Sequence, residues 1–237
     1  MSLTYATYVT TMAGLMSIQP ESALTAQAEL LEQMIAYSEL RIYRELDFLF
    51  TVKESETTDL TPGTRTVAVP GDLIIVNSAA VVTPASTAAA AGTRNAMQRV
   101  SMEFLNQVWP STATQGVPAY YAMQDNDTIV LAPTPDAGYR VCAQGVFRPT
   151  PLSVSNPTTF LTDNVPDLFI AASAVFGFGG LMQNFGAQSD NPQAAQSWEQ
   201  QYQNLRAGVD MENLRSKAWS QGWQPWTPSP VAKEART

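Results

Sequence analysis

Few residues in this chain of 237 can do chemistry. It has no histidine and a single cysteine, Cys142. The lack of histidine excludes Ser-His-Asp and Cys-His nucleophiles and the HExxH zinc site. It also removes the side chain that titrates near neutrality without perturbation. Cys142 alone builds neither an internal disulfide nor a zinc site, and without a histidine it reads as a packing residue rather than a nucleophile. Asp125-Asn126-Asp127 with Asp136 gathers carboxylates as a cation loop would. The EF-hand register and its Glu at position 12 are missing, so an Asx-type hairpin turn accounts for these residues. Gly177-Phe178-Gly179-Gly180 lacks the preceding strand and the Lys-Ser/Thr end of a phosphate loop. Asp163 and Asp167 suit helix N-termini. Two carboxylates about 5–10 Å apart in space would be enough for glycoside hydrolysis, yet no pair stands in a recognisable setting. No catalytic, cofactor-binding or metal-ligating residue is assigned, and no cofactor.

Contact chemistry is what remains. The segment AWSQGWQPWTPSPVAKEART after Lys217 holds Trp219, Trp223, Pro225 and Trp226. Tryptophan is the residue type most enriched at interface hot spots, and this segment is too short to bury three indoles itself. These four residues are expected to dock on another subunit or chain; the alternative is that the tail folds back on its own core. The tryptophan spacing of 4 and 3 would make a stripe on a helix. Gly222 and Pro225 oppose a continuous helix, so an extended or irregular arm is expected.

The elements that would carry these residues follow from periodicity. Residues 4–16 read as a first helix, broken at Ser17, Gln19 and Pro20. A second helix is expected from Ser22 to Phe50, with Leu24, Ala28, Leu31, Ile35, Ile42, Leu46 and Leu49 on one stripe and Leu30 and Met34 widening it. Glu29, Glu32 and Glu39 lie off that seam. From about residue 57 to 160 the period changes to two. Strands are expected at Arg65–Val69, Leu73–Val82, Ala119–Gln124, Thr128–Leu131 and Tyr139–Phe147, with a turn at Pro70-Gly71, an exposed loop at Ala85–Thr93 and a short helix at Ser101–Val108. In the last strand Tyr139, Val141, Ala143, Gly145 and Phe147 share one face. Arg140, Cys142, Gln144 and Arg148 take the other, with Val146 the exception.

Helices then return. Asn164 is expected to cap one that starts at Pro166 and carries Leu168, Phe169, Ala172, Val175, Phe176 and Met182. Its glycines imply a close neighbour or a kink. Asp190-Asn191-Pro192 opens the next helix, where Trp198, Tyr202, Leu205 and Val209 form a stripe and Arg206 can pair with Asp210. The expected fold is α+β: a discontinuous helical bundle of N- and C-terminal helices, an inserted antiparallel β domain and an extended C-terminal arm. Its boundaries fall at 1–50, 51–160, 161–217 and 218–237.

Composition narrows the partners. With 13 Lys+Arg against 21 Asp+Glu, the net charge is −8, a poor footprint for a nucleic-acid binder. Charged residues are 14%, against roughly 25% in ordinary domains, which suits a surface laid against other subunits. The uncharged stretches 73–93 and 168–189 are interrupted by polar residues and glycines, and read as buried strands and a buried helix rather than membrane spans. The start Met1-Ser2-Leu3-Thr4 lacks a basic n-region, so synthesis in the cytosol is expected.

The run VPDLFIAASAVFGFGGLMQNFGAQSDNPQAAQSWEQQYQNLRAGVDMENLR, residues 165–215, resembles the head-to-tail adaptor (connector) proteins of tailed bacteriophages. There too a Pro-Asp/hydrophobic helix is followed by a polar turn and a W-x3-[YF]-x2-L pattern, here Trp198, Tyr202 and Leu205. The stretch VSMEFLNQVWP, 100–110, is similar to a segment inside that family's β insertion. The resemblance implies a structural virion protein at the neck: a dodecameric ring beneath the portal, around the DNA channel, meeting tail or nozzle proteins. It implies helices facing the portal or channel, a β domain facing outward or toward the tail, and an arm reaching onto the portal. It brings no catalytic residues and no membrane. The acidic balance fits independently, because a negative lumen repels passing phosphates. The competing classes are a tail-fibre or host-surface binding module built on the β unit, and a histidine-free carboxylate hydrolase acting on cell-wall polysaccharide.

Overall fold

A computed structural model describes residues 3–18, 28–69, 73–179 and 192–220, with only the backbone of 219–220. The chain divides into two compact units, one of residues 1–49 and 150–237, the other of residues 50–149.

In the first unit α1 (Tyr5–Leu15) starts at a capping box. The Thr4 hydroxyl accepts from the Thr7 N–H, and the Thr7 hydroxyl accepts from the Thr4 N–H at 2.7 Å. Helix α2 (Ala28–Glu45) buries Leu31, Met34, Ile35, Ser38, Glu39 and Ile42. Its expected end at Phe50 is corrected to Glu45. Past that point burial alternates, Leu46 inside, Asp47 outside and Phe48 inside, which is the pattern of extended chain. Phe48 lies edge-on to Tyr43 at 6.4 Å and to Phe160 at 5.6 Å, and Leu49–Thr51 close in a 3₁₀ turn. Residues 19–27, where the helix start was expected, lie outside the described residues.

The expected cap at Asn164 is also corrected. Thr159 and Thr162 form a capping box that opens a shorter helix, α4 (Phe160–Asn164), so Asn164 becomes its last residue. Helix α5 (Pro166–Phe178) follows directly, with Pro166 in its first turn and no side-chain cap. Leu168, Phe169, Ala171, Ala172 and Ala174 are all fully buried, as in a helix covered on all sides. Tyr8 of α1 stacks on Phe169 at 5.0 Å, and Tyr37 of α2 on Phe176 at 5.4 Å. A Cβ on Gly177 would lie 2.7 Å from the Met16 sulfur, so the glycine marks a close neighbour. Helix α6 (Pro192–Ser220) buries Tyr202 and Val209, with Trp198 and Leu205 half-buried on the same stripe. Met182, Asp190 and Asn191 lie outside the described residues.

The second unit is a curled sheet of seven strands in the order β1-β9-β3-β4-β6-β7-β2. Its strands are β1 (Val52–Glu56), β2 (Thr66–Ala68), β3 (Leu73–Thr83), β4 (Thr93–Arg99), β6 (Tyr120–Met123), β7 (Thr128–Ala132) and β9 (Arg140–Phe147). A two-stranded parallel pair joins β5 (Gln115–Gly116) to β8 (Thr134–Pro135). The antiparallel expectation fails at one pairing of the main sheet, where β4 and β6 run parallel. Parallel neighbours need a crossover, and residues 100–119 with helix α3 (Met102–Val108) supply it.

Four of these strands, β1, β4 and the short β5 and β8, were not expected. VKESE and TRNAMQR are polar, and their burial does not follow a simple in–out alternation. Register shifts on β3 near Ile75 and Val76 bring its backbone against β9, and a Cβ on Gly145 would collide with the Ile75 carbonyl. Tyr139, Val141 and Ala143 enter the main core, with Phe147 packed against it. Cys142 joins a small cluster with Val82 and Ala89. Pro70 and Gly71 lie outside the described residues.

Candidate interaction surface

The groups that suggested chemistry at the sequence level stay apart. Asp125 Oδ1 accepts from the Asp127 N–H at 2.8 Å, the Asx turn expected there. Asp136 accepts from the Tyr139 hydroxyl at 2.7 Å. Asp163 sits in the first turn of α4 and Asp167 in that of α5. Among the described residues no three potential ligands come together as a metal site. Cys142 is buried, and that burial, with the Glu54 carboxylate beside it, pushes its thiol up to about 11.

In the β unit an acid pair does meet. A cavity of about 400 Å³ in the β unit is lined by Glu56–Leu60 and Thr66–Val69. Glu56 and Asp59 both accept from Arg140 there, at 3.3 and 2.7 Å. Bonds from Arg140 and Ser86 hold the Asp59 carboxyl below its usual range. A general acid needs the opposite shift.

Charge is concentrated where α2 meets α6. Arg41 grips Glu199 with two prongs of 2.7 and 2.5 Å, donates to Glu45 at 3.0 Å and lies 4.1 Å above the Tyr202 ring. Glu45 also accepts from the Tyr202 hydroxyl and from Arg206, both at 3.0 Å. Burial works against ionisation of Glu45, but the donors Arg41, Arg206 and Tyr202 outweigh it and lower its pKa. Arg206 therefore pairs across helices with Glu45, where Asp210 was expected. Lys217 reaches Asp47 at 2.5 Å. This network ties the last long helix to α2.

Glu39 was placed off the seam of its helix, but the structure buries it to 3% exposure. Positions 35, 38, 39 and 42 share one helix face, so the gap between Ile35 and Ile42 is filled by Ser38 and Glu39. Desolvation pushes the Glu39 carboxyl up to about 7, against one bond accepted from the Leu152 N–H at 3.1 Å.

Two apolar surfaces face outward. On α6, Ala207, Met211, Leu214 and Ala218 are exposed at spacings of 4, 3 and 4, on the side opposite Tyr202 and Val209. On the β unit, Phe104, Trp109 and Tyr120 form a ring cluster. Sequence reasoning missed both. The signal was available in the i, i+4, i+7 spacing on α6 and in the aromatic pair that brackets Val108. Helix α6 runs through Ser220, past the expected limit at Lys217, and carries Trp219 in its last turn. Trp223, Pro225 and Trp226 lie outside the described residues.

A family model described as SU10 adaptor protein matches residues 3–229. No curated protein matches the chain.

Proposed function

We propose a role from one premise: the chain belongs to the SU10 adaptor protein family, a phage head-to-tail adaptor family. It is a structural adaptor of a bacteriophage. In the proposed role about twelve copies form a ring below the portal, at the neck of the virion. The ring links the portal to tail or nozzle proteins and surrounds the channel through which DNA passes without specific binding.

The observation that carries this reading is the extent of the match, residues 3–229, which takes in both structural units and most of the C-terminal segment. Three features support it. The net charge of −8 disfavours a grip on DNA phosphates. The outward stripe of α6 offers an apolar face to a neighbouring copy. Trp219, Trp223, Pro225 and Trp226 supply anchors that tie each copy to the portal or to the adjacent subunit. No helix among the described residues is long and apolar enough to cross a membrane.

The protein does no catalysis in this reading. The acid pairs that converge among the described residues are clamped by arginines, Glu56 with Asp59 by Arg140 and Glu45 with Glu199 by Arg41. The test is negative-stain microscopy of the purified chain mixed with the portal of its phage. Portal-dependent rings are expected. Monomers that leave the portal bare would reject the reading, as would turnover of a cell-wall polysaccharide abolished by a carboxylate-to-amide change.

A further inference from the structure

Around α3 the β unit presents a platform of three aromatic rings. Phe104 is 42% exposed, and Val108, one turn further on the same face of α3, is 47% exposed. The Trp109 ring lies 5.0 Å from Tyr120 and 6.3 Å from Phe104, and Phe104 lies 6.3 Å from Tyr120. Trp109 and Tyr120 rest on a buried layer of Leu105, Ala122, Val130 and Ala132, so their rings are fixed from beneath. The Arg65 guanidinium donates to the Trp109 carbonyl at 3.1 Å and holds the residue by its backbone. Neither the Trp109 indole N–H nor the Tyr120 hydroxyl finds a hydrogen-bond partner among the described residues, and neither is sealed from water. Flat apolar rings edged by free N–H and O–H donors suit a polyproline II segment. Its prolines seat between rings, and its backbone carbonyls, which have no internal partners, accept from Trp and Tyr.

The chain itself contains such a segment. Residues 221–237 hold Pro225, Pro228 and Pro230, with Pro225-Trp226-Thr227-Pro228 in a P-x-x-P spacing. At three residues per turn, Pro225 and Pro228 fall on one edge of a polyproline II helix, about 9 Å apart. The ten residues from Ser220 to Pro230 span at most about 31 Å in that form, about the width of a small domain. Charge agrees as well: Glu103 is exposed beside Phe104, and Lys233 follows Pro230 by three residues.

We propose that the Pro225–Pro230 stretch of one copy docks on the Phe104–Trp109–Tyr120 platform of an adjacent copy. This rests on the reading of the chain as a multi-copy adaptor, and it names the partner of the arm. Each protomer then both gives an arm and receives one. In a closed ring every such contact is intramolecular once the ring has formed, so weak individual docking still locks the assembly.

The test uses the full chain with the photoreactive residue p-benzoylphenylalanine in place of Thr227. Isotopically light and heavy copies are mixed before irradiation, and cross-linked peptides are identified by mass spectrometry. Cross-links to residues 102–120 are expected, with light–heavy pairs among them. Phe104→Ser, and separately the pair Pro225→Ala and Pro228→Ala, should each lower the yield about fivefold or more, as loss of an interface anchor does. Phe104 is exposed, so its replacement leaves the β core intact, and an unchanged circular dichroism spectrum checks this. Cross-links to other segments, cross-links confined to one copy, or none at all overturn the proposal. Portal-bound rings without these cross-links would reject the docking alone. Cross-links between copies with no portal binding would instead reject the adaptor reading.

Discussion

Replacing Glu39 by glutamine should make the helical unit more stable at alkaline pH and leave it nearly unchanged in acid. Glu39 is 3% exposed, and the hydrogen bond it accepts comes from the Leu152 N–H. Its folded pKa is about 7, against 4.5 for the free side chain. The folded state therefore holds a proton between pH 4.5 and 7 that the unfolded chain has released. The unfolded state binds fewer protons in that window, so stability falls as pH rises through it. Below pH 4.5 both states are protonated and the penalty vanishes. Above pH 7 it is present in full. A difference of about 2.5 units at 1.36 kcal/mol each amounts to about 3 kcal/mol. Tyr8 and Tyr43, the titratable groups that sense this carboxylate, have hydroxyl pKa values raised by burial and stay neutral through the window.

The Glu39→Gln variant keeps the shape of the side chain and the carbonyl that accepts from Leu152, but it cannot ionise. Urea unfolding of both proteins, followed by the helical circular dichroism signal at pH 4.5, 6, 7 and 9, provides the measurement. The variant should gain on the natural chain by about 2–3 kcal/mol between pH 4.5 and 9. Parallel pH profiles would refute the reasoning. They would mean that Glu39 titrates alike in the folded and unfolded states, and that its burial is relieved by water or by local opening.

Arg41→Ala should destabilise the same unit by about 1–3 kcal/mol in urea unfolding, because it leaves Glu199 and Glu45 without their shared donor and uncovers the Tyr202 ring. Tyr202→Phe removes only the bond to Glu45 and should cost less, about 0.5–1.5 kcal/mol. Gly177→Ala sets a gain in helix propensity of about 1 kcal/mol against a methyl 2.7 Å from the sulfur of the buried Met16, and should lower the melting temperature. Truncation after Ser220 keeps α6 and the Lys217–Asp47 pair, so circular dichroism should be unchanged while the contacts between copies weaken, and ring assembly on the portal, read by co-sedimentation, falls with them. A truncated chain that unfolds would instead place Trp223 and Trp226 in the protomer's own core.

Local patterns along the chain carried much of the fold. Ser101 caps α3 because its hydroxyl can reach the Phe104 N–H three residues on. The Asp125–Asp127 turn closes on itself, and the stripe of Tyr202 and Val209 follows from helical spacing alone. Each of these depends on residues within one or two turns of each other. The absence of histidine likewise excluded whole classes of chemistry before any fold was considered.

What the tertiary structure decided involves partners far apart in the chain. Arg206 has Asp210 one turn away, yet it bonds to Glu45, because the packing of α6 against α2 brings a half-buried acceptor shared with Arg41 and Tyr202 within reach. Glu39 is polar and so reads as exposed, but Ile35, Ser38 and Ile42 on its helix face are buried and the backbone of Leu152 covers it. The polar strand β4 is a strand only because β3 and β6 lie on either side of it, one antiparallel and one parallel. Such choices depend on free energy gained across long loops of chain, and short-range periodicity carries no record of them.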